Sequence, residues 1–175
     1  VMTVFPTPDL DAGQDVSICM DAQITLTVNA SGGKAPYTYS WPFDLGSGKS
    51  KTVAPSTTTT FVVTVTDDNG CTATDDVTVI VNPNPTAEGI DGEICAGASN
   101  GSVSVNPTSG QAPFTYFWSN GGTTQTISGL GPNETTTYTV IVVDANDCSV
   151  QTSATLTVNP NPELDLGPDQ EICLG

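Results

Sequence analysis

The chain repeats itself with an offset of 77 residues. Val81-Asn82-Pro83-Asn84-Pro85 returns as Val158-Asn159-Pro160-Asn161-Pro162, and Ala35-Pro36-Tyr37-Thr38-Tyr39-Ser40-Trp41 returns as Ala112-Pro113-Phe114-Thr115-Tyr116-Phe117-Trp118. An imperfect copy of the first marker, Val4-Phe5-Pro6-Thr7-Pro8, lies one offset earlier. Repetition at a fixed period means small units built alike and set in series, an architecture with no unique central site. The markers predict a division into residues 1–5 as the last strand of a preceding repeat, 6–82 as repeat 1, 83–159 as repeat 2 and 160–175 as the start of a following repeat. Ile172-Cys173 echoes Ile18-Cys19 and Ile94-Cys95, so the expectation is a stretch of a longer protein.

Within a repeat the hydrophobic period is two throughout. Ile24, Leu26 and Val28 alternate with Thr25 and Thr27, and Phe61, Val63 and Val65 alternate with Val62, Thr64 and Thr66. Such alternation places one face of a strand on a core and the other in water. Val77, Val79 and Val81 form a last strand, and Asp67-Asp68-Asn69-Gly70 before it is turn chemistry that closes a hairpin. Gly32-Gly33 and Gly46-Ser47-Gly48 mark further turns, and no segment has a helical period. Short strands separated by frequent turns predict an all-β fold of tandem immunoglobulin-like antiparallel β-sandwiches, one per repeat. The Asn-Pro-Asn-Pro joint is short and proline-stiffened, which predicts a semi-rigid string of modules.

Charge narrows the functional classes. Three lysines face 19 acidic residues, a net charge of −16, with no histidine. Such a surface repels nucleic acid and anionic membranes. No run of 18 apolar residues is present, so no membrane-spanning helix is expected in this segment. Catalysis lacks its raw material as well. There is no histidine to act as base, and Lys34, Lys49 and Lys51 all fall in repeat 1, so no catalytic residues are assigned and the chain is expected not to be an enzyme. A Thr-rich, β-prone and charge-poor composition points to an extracellular or cell-surface location.

The five cysteines are Cys19, Cys71, Cys95, Cys148 and Cys173. Their spacing within the repeats is nearly constant, 52 residues from Cys19 to Cys71 and 53 from Cys95 to Cys148. This predicts the disulfides Cys19–Cys71 and Cys95–Cys148, with Cys173 bonded to a residue beyond the chain. The loop-entropy model makes each such bond worth roughly 4 kcal/mol, a useful supplement where a small domain buries only ~60% of its unfolded surface. A bond from Cys71 to Cys95 is the competing connectivity, and reduced thiols are the alternative to both. Disulfides imply an oxidising compartment.

Two runs carry a family resemblance. Gly33-Lys34-Ala35-Pro36-Tyr37-Thr38-Tyr39-Ser40-Trp41, followed by Phe61-Val62-Val63-Thr64-Val65-Thr66-Asp67-Asp68-Asn69-Gly70-Cys71, resembles the repeats of large secreted Bacteroidetes surface proteins, the SprB-type adhesins and related PKD-like modules. The second copy resembles them too, through Ala112–Trp118 and Val143-Asp144-Ala145-Asn146-Asp147-Cys148. Asp147 stands where the usual Asn-Gly-Cys turn has glycine, and the Asp-Phe-Gly-Asp-Gly run of PKD domains is degraded to Pro42-Phe43-Asp44-Leu45-Gly46-Ser47-Gly48. The resemblance implies export to the cell surface and an adhesive or spacing role, without naming a ligand.

Two further chemistries have candidate residues. Calcium takes several oxygen ligands, and Asp11, Asp15, Asp67, Asp91 and Asp144 are the candidate ligands, although no loop has the Asp-x-Asp-x-Asp-Gly spacing of a strong site. Turn formation and solubility are the plainer use of these carboxylates, and no other cofactor is expected. Trp41, Trp118, Tyr39 and Tyr116 are expected in the core, while Phe117, on the opposite parity from Trp118, is the candidate contact residue. The expected function is a disulfide-stapled spacer or adhesin stalk, partnered by other repeats of the same chain. The alternatives are a building block of an extracellular filament or sheath, formed by strand pairing between neighbouring chains, and a carbohydrate-binding accessory module of a secreted enzyme, with neighbouring chains or surface glycans as candidate partners. Solvent-exposed Trp41 and Trp118 would favour the carbohydrate module.

Overall fold

The computed structural model describes residues 4–131 and 134–164, and among them it holds 15 strands and no helix. The chain forms two compact β units. Unit 1 runs to Asn84 and takes in Ala145–Cys148; unit 2 holds Pro85–Asp144 and continues from Ser149. The units depart from the sequence repeats at the tetrapeptide Ala145–Cys148, which belongs to repeat 2 by sequence. Cys148, within this tetrapeptide, is disulfide-bonded to Cys19 of unit 1.

In unit 1 the larger sheet contains β2 (Val16–Cys19), β8 (Thr72–Asn82), β7 (Thr59–Thr66) and β5 (Thr38–Ser40), in the order β2-β8-β7-β5. The β7–β8 hairpin is antiparallel, whereas β2 lies parallel to the end of β8, with Val16 opposite Val79 and Cys19 opposite Asn82. The facing layer consists of β1 (Pro8–Asp11) paired with β4 (Asn29–Gly32), and β3 (Ile24–Thr27) paired with β6 (Ser50–Val53). The alternating run predicted as one strand is interrupted at Val28. Its side chain is fully buried, and its N–H donates to Lys49 O at 3.1 Å, outside the regular ladder.

The core lies between these layers. Leu10, Leu26 and Val53 come from one layer, and Ile18, Phe61, Val63, Val65, Val77 and Val79 from the other, with Trp41 and Val28 completing the cluster. β7 shows why these residues form a strand. Phe61, Val63 and Val65 are buried while Val62 is exposed, so β-branched side chains fill one face at period two.

Unit 2 repeats the plan. Its larger sheet has the order β10-β15-β14-β12, from β10 (Gly92–Cys95), β12 (Thr115–Trp118), β14 (Thr136–Val143) and β15 (Ser149–Asn159), and β10 again runs parallel to the end of β15. Its smaller sheet is β13-β11-β9, from β9 (Thr86–Ile90), β11 (Gly101–Ser109) and β13 (Thr126–Leu130). Here β11 is continuous and pairs with β13 through its first part and β9 through its second. A separate core of Ile94, Val103, Val105, Trp118, Ile127, Leu130, Val140, Val142, Ala154 and Leu156 fills unit 2. Both units have a cis peptide at the same place, Ala35-Pro36 and Ala112-Pro113.

Val4 and Phe5, expected in a strand of a preceding repeat, are exposed and in no strand; ladder pairing starts at Pro8, opposite Gly32. Residues 160–164 are likewise outside strands, and the rest of the predicted opening of a further repeat lies outside the described residues.

Candidate functional site

The most organised polar feature of unit 1 is the turn between β7 and β8. Asp67 there is only 5% exposed. Its Oδ1 accepts the N–H groups of Asn69 at 3.0 Å and Cys71 at 2.8 Å, and its Oδ2 accepts that of Lys34 at 3.0 Å. Burial pushes the carboxyl up, but the backbone N–H groups of Lys34, Cys71, Asn69 and Gly70 together outweigh it and hold Asp67 below its ordinary value. Gly33 makes the approach of the Lys34 loop possible. It has φ of 55°, and a Cβ there would meet Asp67 Oδ2 at 2.7 Å and Pro8 N at 3.0 Å. Lys34 Nζ then pairs with Asp68 at 2.6 Å on the surface, which raises the lysine through that hydrogen bond and charge but contributes little to folding.

Repeat 2 has a buried carboxylate at the matching position. Asp144 is 4% exposed and its Oδ2 accepts the N–H of Gln111 at 3.1 Å, Gln111 standing where unit 1 has Lys34. Asp147 replaces Gly70, and both hold left-handed backbone, at φ of 62° and 82°. The turn conformation is therefore kept although the glycine is not.

The cysteines correct the sequence expectation. The structure bonds Cys19 to Cys148, with Cα atoms 5.5 Å apart, and leaves Cys71 and Cys95 as free thiols. Neither Cys19–Cys71 nor Cys95–Cys148 forms, for a reason that lies in the parallel pairing. Cys19 is opposite Asn82, the last residue of β8, while Cys71 immediately precedes the first. An 11-residue strand at ~3.3 Å per residue puts them about 35 Å apart, against the ~7 Å Cα limit of a disulfide. Cys95, opposite Asn159, and Cys148, just before β15, are separated in the same way. Cys173 lies outside the described residues.

The five calcium candidates are dispersed and tied to backbone. Asp15 Oδ1 accepts the N–H of Thr78 at 2.8 Å and Asp91 Oδ1 that of Thr155 at 2.7 Å, each just ahead of a strand that joins its sheet in parallel. Asp11 Oδ1 accepts from Gly13 N–H at 2.9 Å, Asp67 accepts from Asn69, Cys71 and Lys34, and Asp144 accepts from Gln111. Among the described residues no three His, Cys, Asp or Glu side chains gather as a metal-holding group.

Trp41 and Trp118 are 5% and 4% exposed. Their indole N–H groups donate to Gly48 O at 2.8 Å and Thr124 O at 2.9 Å, so neither ring offers a face to a sugar. Tyr39 and Tyr116 are half-buried against the two cores. Phe117 is exposed, on the edge strand β12, and sits opposite exposed Ile141 of β14. Unit 1 has Ser40 opposite Thr64 there. Ile141 was missed in the sequence, although its outward parity between Val140 and Val142 was the available signal. A second apolar feature is an open groove of about 460 Å³ in unit 1, where exposed Phe43 packs edge-on to Phe61 at 5.7 Å.

A sequence model of the SprB repeat family matches residues 21–42 and 91–123, so both repeats carry SprB-repeat sequence. The decoration protein of Escherichia phage T5 is 35% identical over 96 residues, covering 48% of this chain. The chain spans 58% of that relative's length. Among solved structures, the fibronectin(III)-like modules of Clostridium thermocellum CbhA align with 12% identity and a TM-score of 0.43, covering 88% of this chain and 95% of theirs. The three N-terminal domains of the outer capsid protein Hoc of bacteriophage RB49 align with 18% identity and a TM-score of 0.40, covering 89% and 59%. The family match, on two all-β repeats, supports an extracellular repeat or adhesion-type module.

Proposed function

We propose that this chain, with an SprB-repeat segment in each of its two repeats, is a structural segment of a secreted surface protein and serves as a spacer or adhesin stalk. The observation that carries the reading is the covalent connection of the first cysteine of repeat 1 to the second cysteine of repeat 2. A disulfide needs an oxidising compartment, which suits a secreted protein. The reading includes no catalytic step and no cofactor. Like charge on every unit, −16 in total, keeps such strings soluble and apart.

The test is electron microscopy of the intact surface protein released from cells. Threads one module wide are expected, and thick fibres with lateral packing would sink the stalk reading in favour of a filament subunit. A second reading comes from the 35% identity to a phage protein named for decoration: the repeats dock as single copies on the outside of a larger assembly. Isolated modules studding a particle, with no threads, would support it.

A further inference from the structure

The two free thiols occupy the same local structures as the two bonded ones. Cys19 ends β2 opposite Asn82, Met20 N–H donates to Asn82 O at 2.9 Å, and Ala22 N–H donates to Cys19 O at 3.1 Å. Cys95 ends β10 opposite Asn159, Ala96 N–H donates to Asn159 O at 2.8 Å, and Ala98 N–H donates to Cys95 O at 3.1 Å. Cys95 is exposed and borders an open groove of about 520 Å³ lined by β10 and the start of β11. At the other position, Cys71 and Cys148 each follow a left-handed residue, Gly70 or Asp147, in the turn after Asp67 or Asp144. Cys71 is only partly buried.

The bonded pair joins the strand-end cysteine of one repeat to the turn cysteine of the next. We infer that Cys95 and Cys71 are the two open ends of a repeat-to-repeat disulfide ladder: Cys95 bonds the turn cysteine of another repeat of this kind, and Cys71 a strand-end cysteine. In isolated protein that partner is a second copy of this chain, joined Cys95 to Cys71. The pairing rule rests on the observed bond and holds whether the repeats serve as stalk, fibre or decoration.

The oxidant is a small disulfide such as oxidised glutathione. The Cys95 thiolate attacks one of its sulfurs and expels a thiolate; the Cys71 thiolate of the second copy then attacks the Cys95 sulfur and expels the other. One disulfide is formed, one is reduced to two thiols, and two protons leave the cysteines.

The experiment uses the full chain carrying Cys173→Ser, concentrated in a glutathione redox buffer and analysed by non-reducing gel and peptide mapping of a mixture of isotope-labelled and unlabelled copies. The expected result is a ladder of multimers with Cys19–Cys148 retained within each chain. Labelled-to-unlabelled Cys95–Cys71 bonds should exceed Cys95–Cys95 and Cys71–Cys71 bonds by about tenfold or more, a selectivity of ~1.4 kcal/mol. Adding Cys71→Ser should abolish the ladder. Symmetric bonds in statistical proportion, a Cys71–Cys95 bond within one chain, persistently free thiols, or recovery of Cys19–Cys71 would each overturn the ladder. The stalk reading is judged separately by microscopy.

Discussion

Single carboxylates organise the turns of this protein, and Asp67 shows how. Its depressed pKa means that it stabilises the fold above the ordinary aspartate value of 3.8, and that this contribution is lost as the pH falls through the lower folded value. Asp67→Asn should therefore melt well below the native chain at pH 7, and the gap should shrink as the pH drops below 3.8. A gap that stays constant to pH 2.5 in paired thermal melts would show that charge is not what the turn uses. Asp147 raises the opposite expectation. It bears left-handed backbone that glycine adopts without a Cβ clash, so Asp147→Gly should stabilise the fold by ~0.5 kcal/mol after glycine's extra chain entropy is deducted. Denaturant melts showing destabilisation would mean that the Asp147 side chain has a role of its own. The Asp67 and Asp147 turns were legible as turn chemistry. Burial of Asp67 was not, because the donor from Lys34 is 33 residues away.

At the scale of the strand, parity decides what is inside. The aromatic runs of both repeats were legible as core, and Trp41, one residue past β5, and Trp118, at the end of β12, are both buried. Each indole also donates a hydrogen bond to the loop that follows, at Gly48 or Thr124. Trp41→Phe and Trp118→Phe should each cost about 2–3 kcal/mol, from the lost hydrogen bond and the incompletely filled site. Chemical denaturation that found either substitution neutral would show that the ring fills no tight space. By contrast Phe117→Ser, which restores the residue of repeat 1 at an exposed position, should change stability by no more than ~0.5 kcal/mol. A loss several times larger would place Phe117 in packing rather than on the surface. Two elements escaped the sequence reading: the break at Val28, and the parallel entry of β2 and β10. Both depend on partners distant in sequence, Lys49 for the first and β8 or β15 for the second.

For the whole molecule, each unit fills its own core, so the Cys19–Cys148 bond is not needed to complete either sandwich. Cys19→Ser should leave the β signature of both units intact in circular dichroism and lower thermal stability, by at most about 5 kcal/mol in the loop-entropy limit. Loss of folded signal at room temperature would mean that a unit depends on the bond for its fold. The sequence by itself determined the period, the all-β class, the hairpin that leads into the last strand and the inward parity of Phe61, Val63 and Val65. Those properties are local: they follow from side-chain alternation and turn chemistry within a few residues. The tertiary structure alone decided the cysteine pairing. Spacing along the chain is nearly the same for the cysteine pair of each repeat, but β2 pairs in parallel with the far end of β8, and the length of that strand keeps Cys19 and Cys71 apart.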